Sequence, residues 1–137
     1  MQQTLTILKP DTIRSGRAGA VLTMIESAGF RVRAARMLHM TAAEAEGFYA
    51  VHRERPFFGD LVAFMTEGPV IVMVLEAEGA VTRLRELMGA TDPGKAGPDT
   101  VRRRFGASIE RNAIHGSDAP ETAAAEISYF FSRLDLV

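Results

Sequence analysis

The segment from Val70 to Glu76, with the sequence VIVMVLE, limits the possible folds of this chain more than any other segment. Six of its seven residues are apolar, and four of them are β-branched. A nearly continuous apolar run of this length, preceded by the turn-forming pair Gly68-Pro69, is typical of a strand buried on both faces. The run therefore predicts a central strand in a sheet that other elements cover on both sides.

Three further segments have strand-like patterns. Thr4 to Lys9 is a short apolar and β-branched run that ends at Pro10. Phe30 to Met40 alternates apolar residues with arginines, which predicts a strand with one face in solvent. Asn112 to His115 is a short strand candidate before a glycine. Together with the central run, these segments predict four strands.

Helical patterns separate the predicted strands. The clearest start signal is Thr41-Ala42-Ala43-Glu44, whose spacing matches a capping box. Gly29 and Gly89 are placed to end two of the helices. The predicted helices span Ala18 to Ala28, Ala42 to about Val51, Phe58 to Thr66, Ala80 to Met88, Thr100 to Phe105, and Ser117 to Phe131 with Ala124, Ile127, Tyr129, Phe130 and Phe131 packed inward.

The order of the predicted elements is β-α-β-α-α-β-α-loop-β-α. Its core is two β-α-β units, the arrangement of an α+β ferredoxin-like βαββαβ sandwich with a four-stranded antiparallel sheet and flanking helices. A small doubly wound sheet is the alternative. The two consecutive helices between the second and third strands disfavour that alternative, so we expect the ferredoxin-like fold.

The length, cysteine content and charge of the chain limit its function class. Its 137 residues predict a single domain over 1–137. The chain has no cysteine, which excludes disulfides, thiolate metal sites and a cysteine nucleophile. A net charge of −1 predicts no general affinity for nucleic acid or anionic membranes, so nucleic-acid binding would be a side activity. No apolar run approaches the ~20 residues that span a bilayer, and no secretion signal is visible before Pro10, so we expect a cytoplasmic protein.

Residues Gly89 to Asp99, with the sequence GATDPGKAGPD, are predicted to have no regular structure. An irregular loop of this length within a compact domain is usually functional or disordered. The glycine-rich phosphate loops GxxxxGK[ST] and GxGxxG are both absent from the chain. A phosphate site would therefore have to be built from side chains.

His115 is the strongest candidate for chemistry. It stands in Asn112-Ala113-Ile114-His115-Gly116-Ser117-Asp118, at the end of a predicted strand and before a predicted helix. A histidine nitrogen is a competent nucleophile when an acceptor holds the other ring nitrogen, and Glu126 is a candidate acceptor. Gly116 would let a bulky group approach closely. The pattern also fits a structural histidine that caps a turn, and the residues alone leave both interpretations open.

Basic and hydroxyl side chains recur where predicted elements end. Each alone is most simply a solvated group, but together they would form a clamp for a polyphosphate. Phe57 and Phe58 would ordinarily be core residues, although one exposed ring would offer a stacking surface to a planar base. The candidates for the clamp are Lys9, Arg55, Arg85, Thr91 and Arg102.

Taken in order, these motifs resemble those of the bacterial nucleoside diphosphate kinases, and the similarity runs from Thr4 to Phe131. The segment from Asn112 to Asp118 is similar to the active-site signature of that family. The supporting segments are Lys9-Pro10-Asp11, Tyr49 with His52, Arg55-Pro56-Phe57-Phe58, Gly68-Pro69 and Gly89-x-Thr91-Asp92-Pro93.

The resemblance implies an enzyme that transfers the γ-phosphate of a nucleoside triphosphate to a nucleoside diphosphate by a ping-pong mechanism with broad base tolerance. His115 would become a phosphohistidine, with Ser117 and Glu126 orienting its ring and Tyr49 supporting it beside Lys9. The nucleotide contacts implied are Lys9, Arg55, Arg85, Thr91 and Arg102 for the phosphates, Asn112 and Lys9 for the sugar, and Phe57 flanked by Leu61 and Ile109 for the base.

The resemblance also implies partners. Mg²⁺ would be bound mainly through the nucleotide phosphates, without protein ligands, and the subunit would form a homo-oligomer, with a hexamer favoured over a tetramer. Arg103 and Arg104 depart from the family, which often has a small residue and an aspartate there, so a local ion pair is in doubt. A nucleotide-binding regulatory protein without catalysis is the alternative, and the presence of His115 and Lys9 argues against it.

Overall fold

The computed structural model describes residues 1–137 and contains one four-stranded sheet. The strand order is β2-β3-β1-β4, and every neighbouring pair is antiparallel. This arrangement confirms the predicted ferredoxin-like fold and excludes the doubly wound sheet, whose strands would be parallel. The strands are β1 (Gln2–Leu8), β2 (Arg31–Leu38), β3 (Val70–Ala77) and β4 (Ile114–Gly116).

Seven α-helices and three short 3₁₀ turns connect the strands. The helices are α1 (Pro10–Arg14), α2 (Ala18–Ser27), α3 (Ala42–Phe48), α4 (Phe58–Met65), α5 (Ala80–Met88), α6 (Val101–Phe105) and α7 (Pro120–Phe130). The 3₁₀ turns cover Ala50–His52, Pro93–Lys95 and Arg133–Asp135. None of these helices has both the length and the apolar composition needed to cross a membrane.

The central strand β3 is buried on both faces, as the sequence predicts. Val72 and Val74 join a hydrophobic cluster on one face of the sheet, which α3, α4 and α7 cover. Met73 and Leu75 join a second cluster on the other face, beneath α2 and α5. Alternate residues of a strand point to opposite faces, so one continuous apolar run supplies both cores.

The structure corrects several local predictions. Strand β4 covers Ile114–Gly116 and not Asn112 to His115, and the loop predicted to be irregular contains the 3₁₀ turn Pro93–Lys95. Helix α1 was not predicted: Pro10 ends the strand, but it also opens a helix because proline suits the first helical turn. Helix α7 begins at Pro120 and not at Ser117, since the Ser117 backbone N–H still pairs with Leu5 O at 3.1 Å. Within α7, Ala124 and Tyr129 are exposed, contrary to the predicted inward packing.

Helix α3 begins as its capping box predicts. Thr41 Oγ1 accepts a hydrogen bond from Glu44 N at 3.1 Å, and Glu44 Oε1 accepts one from Thr41 N at 2.8 Å. The α-helix ends at Phe48, so the predicted extension to Val51 is a separate 3₁₀ turn. Tyr49 is therefore the C-cap of α3, and His52 is the last residue of the 3₁₀ turn.

Candidate active site

The candidate site lies where β1 ends beside β4. Antiparallel pairing places Ile7 opposite His115 and Leu8 opposite Ile114. Lys9 follows β1 directly and continues this contact, because its backbone N–H donates to Ala113 O at 2.9 Å. Two residues that are more than a hundred positions apart in the sequence, Lys9 and His115, are thereby fixed by the same pair of strands.

The His115 imidazole is held by a carboxylate. Its Nε2 lies 3.0 Å from Glu126 Oε1, and both side chains are about one-fifth exposed. Ser117 Oγ donates to the same carboxylate oxygen at 2.7 Å, and Ser117 itself is fully buried. Because a carboxylate accepts, Nε2 carries the proton in the neutral ring. The lone pair of that ring is therefore on Nδ1.

Aromatic rings fix the plane of this imidazole. The Phe48 ring meets the His115 ring edge-on, with centroids 5.4 Å apart, and the Tyr49 ring does so at 6.2 Å. The Tyr49 hydroxyl is buried and has no hydrogen-bond partner. Burial raises the pKa of Tyr49, and the nearby Glu126 carboxylate raises it further, so the hydroxyl stays protonated. The cleft thus contains a hydrogen-bond donor that no other side chain uses.

Lys9 is a buried cation in the same cleft. Its Nζ donates to Asn112 Oδ1 at 2.8 Å, and Asn112 Nδ2 donates to Thr91 O at 3.1 Å. Burial, followed by the Arg102 charge, lowers the pKa of Lys9 from 10.5 to about 8, and the Asp11 charge opposes this shift. The Lys9 ammonium group therefore lacks a fully compensating negative charge, which an anionic ligand would supply.

Two guanidinium groups bracket the backbone of His115. Arg102 Nη2 donates to Ile114 O at 2.9 Å, and Arg85 Nη1 lies 3.4 Å from Gly116 O. Burial, followed by the Arg85 charge, lowers the pKa of Arg102 to about 10, so it stays charged at neutral pH. Arg102 Nε is buried without a partner. Both arginines therefore add positive charge around one imidazole.

Two adjoining cavities, of about 390 and 430 Å³, meet at His115. One extends past Lys9 to the exposed ring of Phe57, and the other extends past Arg85 to Glu126. Tyr49, His52, Thr91, Arg102 and His115 line both. The arrangement is a single cleft with a cationic centre and an apolar end.

Nearly all of the predicted site residues meet in this cleft. Ser117 lies behind Glu126 and not in the cleft wall, and Arg55 is exposed and lines neither cavity. The residues that line the cleft are Lys9, Tyr49, Phe57, Leu61, Arg85, Thr91, Arg102, Ile109, Asn112, His115 and Glu126.

His52 also lines the cleft, although the sequence analysis gave it no role. Its ring stacks on Tyr49 with centroids 6.4 Å apart and lies 5.5 Å from the Phe57 ring. The sequence feature that could have predicted this position is the spacing of three residues between Tyr49 and His52, which places the two side chains on one side of a helical turn.

Arg103 and Arg104 form no ion pair. Arg103 Nη1 donates to Gly94 O at 3.2 Å and to Ala96 O at 3.4 Å, and so fastens the long loop to α6. The Arg104 guanidinium lies over the Phe105 ring, 5.4 Å from its centroid. In this chain Arg103 therefore contacts the long loop and does not form the ion pair that the family resemblance implies at this place.

The chain is similar over its whole length to nucleoside diphosphate kinases. The sequence model of the nucleoside diphosphate kinase family matches residues 2–136. The protein of that name from Chlamydia abortus is 56% identical over 137 residues, which are 100% of this chain and 97% of that protein. The one from Nitratidesulfovibrio vulgaris is 54% identical, with 100% and 99% covered.

Solved structures give the same result. The nucleoside diphosphate kinase of Aquifex aeolicus superposes with a TM-score of 0.97 at 45% identity and covers 99% of both chains. A halophilic enzyme from Halobacterium salinarum, solved in complex with CDP, gives 0.95 at 37% identity, with 99% and 91% covered. The predicted family and activity are confirmed by these matches: the chain belongs to the nucleoside diphosphate kinase family and is a phosphotransferase that acts as a nucleoside diphosphate kinase.

Proposed function

We propose that His115 carries the phosphoryl group between the two nucleotides of this reaction, through its Nδ1 atom. The observation that carries this proposal is the 3.0 Å contact between His115 Nε2 and Glu126, which leaves the Nδ1 lone pair available. That lone pair attacks the γ-phosphorus of a nucleoside triphosphate, and the bond from the γ-phosphorus to the bridging oxygen breaks. The diphosphate leaves with the electron pair. A second diphosphate then attacks the phosphohistidine through its terminal oxygen and restores the imidazole.

Glu126 and Ser117 act as positioning residues in this scheme. Attack by Nδ1 makes the ring cationic, and the Glu126 carboxylate stabilises that charge where it develops. Ser117 Oγ donates to Glu126 Oε1 at 2.7 Å and fixes the carboxylate in place. The two residues thereby hold the ring in a single tautomer and orientation.

The cations of the cleft would compensate for the charge of the transferred group. Phosphoryl transfer has a loose transition state whose charge lies mainly on non-bridging oxygens, so positioning and charge compensation dominate catalysis. Lys9 and Arg102 are buried cations beside His115, and the unpartnered Tyr49 hydroxyl is a further donor. The remaining phosphate contacts in this proposal are Arg55, Arg85, Thr91 and His52.

The apolar end of the cleft would hold the nucleoside. Phe57 is 45% exposed and Ile109 is 58% exposed, and both line the cavity together with Leu61. Stacking on an aromatic ring tolerates any base, because every base has a π-face. Asn112 would contact the sugar hydroxyl together with Lys9. We therefore propose broad base tolerance.

Mg²⁺ enters this proposal with the nucleotide. The chain has no group of three or more His, Asp or Glu side chains arranged to hold a metal. The Glu126 carboxylate is already bonded to His115 and Ser117, and the one other carboxylate that lines the same cavity, Asp118, accepts a hydrogen bond from Thr122 Oγ1 at 2.8 Å. This donor set fits an ion held by phosphate oxygens and water and not by a carboxylate cage. When bound, the ion offsets negative charge on the phosphates.

The proposal extends to the assembly and the location of the enzyme. We treat residues 1–137 as one domain that forms a homo-hexamer and not a tetramer, in the cytoplasm, where free nucleotides are abundant. Strand β2 lies at an edge of the sheet and exposes Met37, which is 60% exposed. An exposed strand edge is a ready surface for pairing with another subunit. Sedimentation equilibrium distinguishes six subunits from four.

Substitution of the histidine tests the carrier role. His115→Asn removes the nucleophile, so transfer from ATP to a second nucleoside diphosphate should fall below detection while ATP binding persists. His39→Asn is the matched control, because His39 contacts Thr66 O and lies outside the cleft. The control should transfer at the wild-type rate. Near-normal transfer by His115→Asn would overturn the assignment.

A further inference from the structure

Ala113 has a backbone conformation that side chains rarely adopt. Its φ of 75° is the only positive value at a residue other than glycine in this chain. Ile114 N donates to Asn112 O at 2.9 Å, so Ala113 is the central residue of a three-residue γ-turn. Turns of this kind with a positive φ are rare and strained. Such strain persists only when the surrounding structure holds it in place.

The segment from Lys9 to Thr12, which follows β1, holds Ala113 in this conformation. Ala113 N donates to Asp11 Oδ2 at 3.1 Å. Ala113 O accepts hydrogen bonds from Lys9 N at 2.9 Å and from Thr12 Oγ1 at 2.8 Å. Both backbone polar groups of the strained residue are therefore bonded to one short segment, and only the Asp11 contact holds the N–H.

The γ-turn separates two parts of the active site. Before it, Asn112 accepts the hydrogen bond from Lys9 Nζ. After it, Ile114 begins β4 and His115 follows. Because a γ-turn changes the chain direction within three residues, the backbone at Ala113 sets the angle between Asn112 and the imidazole. A relaxed turn would move the nucleophile relative to the cation that faces it.

Asp11 does not touch the cleft, and its other contacts are few. It lines neither cavity, and its Oδ1 atom is buried without a hydrogen-bond partner. An acidic residue in the first turn of a helix also stabilises that helix through its dipole. The five-residue helix α1 gives little scope for this effect. The bond to Ala113 N is thus the only hydrogen bond of this carboxylate, which otherwise acts through its charge on Lys9 and Arg111.

We propose that Asp11 is a positioning residue for phosphoryl transfer, which holds the strained γ-turn at Ala113 and so fixes His115 against Lys9 and Asn112. The inference rests on the proposed role of His115 as the phosphoryl carrier. Geometry is decisive in such a site, since a misplacement of about 1 Å can cost about 100-fold in rate.

The test compares Asp11→Ala with Asp11→Asn. The measured quantity is the single-turnover rate of His115 phosphorylation at saturating ATP, so that weaker nucleotide binding does not enter. The pH is kept near neutral, below the Lys9 pKa of about 8. Asp11→Ala should slow phosphorylation about 10- to 100-fold. Asp11→Asn keeps an oxygen that can accept from Ala113 N, so it should restore most of the rate.

A second substitution separates positioning from stability. Glycine adopts a positive φ without strain, so in an Ala113→Gly background Asp11→Ala should slow phosphorylation by a smaller factor than it does alone. Glu44→Ala is the matched control, because Glu44 also accepts from a backbone amide in the first turn of a helix, but outside the cleft. It should lower stability and leave the phosphorylation rate unchanged.

The rate of His115 phosphorylation in these variants either supports or overturns the role of Asp11. An unchanged rate in folded Asp11→Ala, or the same loss with and without Ala113→Gly, would overturn the inference. If Asp11→Ala does not fold, Asp11→Leu takes its place, since leucine is similar in size but cannot accept a hydrogen bond from Ala113 N, and an unchanged rate would again overturn the inference. Wild-type protein that never accepts phosphate on His115 would instead refute the proposed function itself.

Discussion

Glu126 Oε1 accepts hydrogen bonds from both His115 Nε2, at 3.0 Å, and Ser117 Oγ, at 2.7 Å. One carboxylate oxygen therefore joins the His115 imidazole on β4 to a buried hydroxyl in the chain that leads to α7. The imidazole cannot rotate without breaking its bond to this pair. The same contact occupies Nε2, so in the proposed mechanism Nδ1 is the ring nitrogen that reacts.

Replacement of the Glu126 carboxylate should slow phosphoryl transfer and leave nucleotide affinity nearly unchanged. Glu126→Gln keeps the shape but replaces a charged acceptor with a neutral one, and a hydrogen bond to a charged group contributes about 1.5–3 kcal/mol. We expect kcat to fall about tenfold or more with little change in KM, measured by steady-state transfer. Glu121→Gln, at an exposed position of α7, is the control and should behave as wild type. A loss in KM alone would contradict the positioning role.

Tyr49→Phe should separate catalysis from stability. The Tyr49 hydroxyl is buried without a partner, which costs about 1–3 kcal/mol in the folded state. Its removal should therefore leave the free energy of unfolding unchanged or raise it, as denaturant titration would measure. The rate of His115 phosphorylation should fall, because the transferred group loses a donor. A stable variant with full activity would show that the hydroxyl has no part in transfer.

Nucleotide affinity should weaken as pH rises through about 8, where Lys9 loses its charge in the free enzyme. Bound phosphate favours the protonated amine, so binding takes up a proton above that pH. We expect Kd to rise by up to about tenfold per pH unit in this range, measured by calorimetry in buffers of different ionisation heat. Lys9→Gln should bind more weakly at neutral pH but lose this dependence. The same pH dependence in Lys9→Gln would assign it to another group.

Lys9 also links stability to pH. Its pKa is about 8 in the folded chain and 10.5 when unperturbed. Between these values the unfolded chain binds more protons, so the contribution of Lys9 to the free energy of unfolding rises with pH. Relative to Lys9→Met, the wild type should therefore become more stable from about pH 8 to 10.5 in denaturant titrations. A constant difference between the two proteins would contradict the buried-cation account.

Phe57→Ala should weaken binding of every nucleotide to a similar extent. Loss of base stacking costs about 1–3 kcal/mol, which should appear as a higher KM for adenine, guanine and pyrimidine nucleotides. Leu134→Ala, a truncation of another exposed apolar residue that lines neither cavity, is the control. A loss confined to one base would indicate selective recognition at this end of the cleft.

Arg103→Ala should loosen the long loop without unfolding the domain. Arg103 Nη1 contacts Gly94 O and Ala96 O, and the loop also contains Thr91. Hydrogen exchange should become faster across the loop, and KM should rise about two- to fivefold, since an exposed hydrogen bond contributes only about 0.5–1.5 kcal/mol. Arg104→Ala is the control, because the Arg104 guanidinium lies over the Phe105 ring and not against the loop. Unchanged exchange in Arg103→Ala would remove any role for Arg103 in the loop.

Local patterns predicted the elements whose causes are local. The apolar run of β3 and the helix between Gly79 and Gly89 appear at the expected positions. The γ-turn at Ala113 could not be predicted, since an alanine carries no signal for a positive φ, and contacts from residues about one hundred positions away hold it. The sequence also could not predict that the Tyr49 hydroxyl lacks a hydrogen-bond partner, because this depends on which groups surround the side chain in the folded protein.

The central claim is that Nδ1 of His115 carries the phosphoryl group. The most direct measurement incubates the protein with γ-labelled ATP and Mg²⁺ but no acceptor, and then locates the phosphate by nuclear magnetic resonance. The account predicts about one phosphate per subunit, on Nδ1, stable to alkali and labile to acid. Several nucleoside diphosphates should discharge it, and His115→Asn should take up none. Phosphate on Nε2 or on another residue, or ATP binding without any transfer to the protein, would contradict the account.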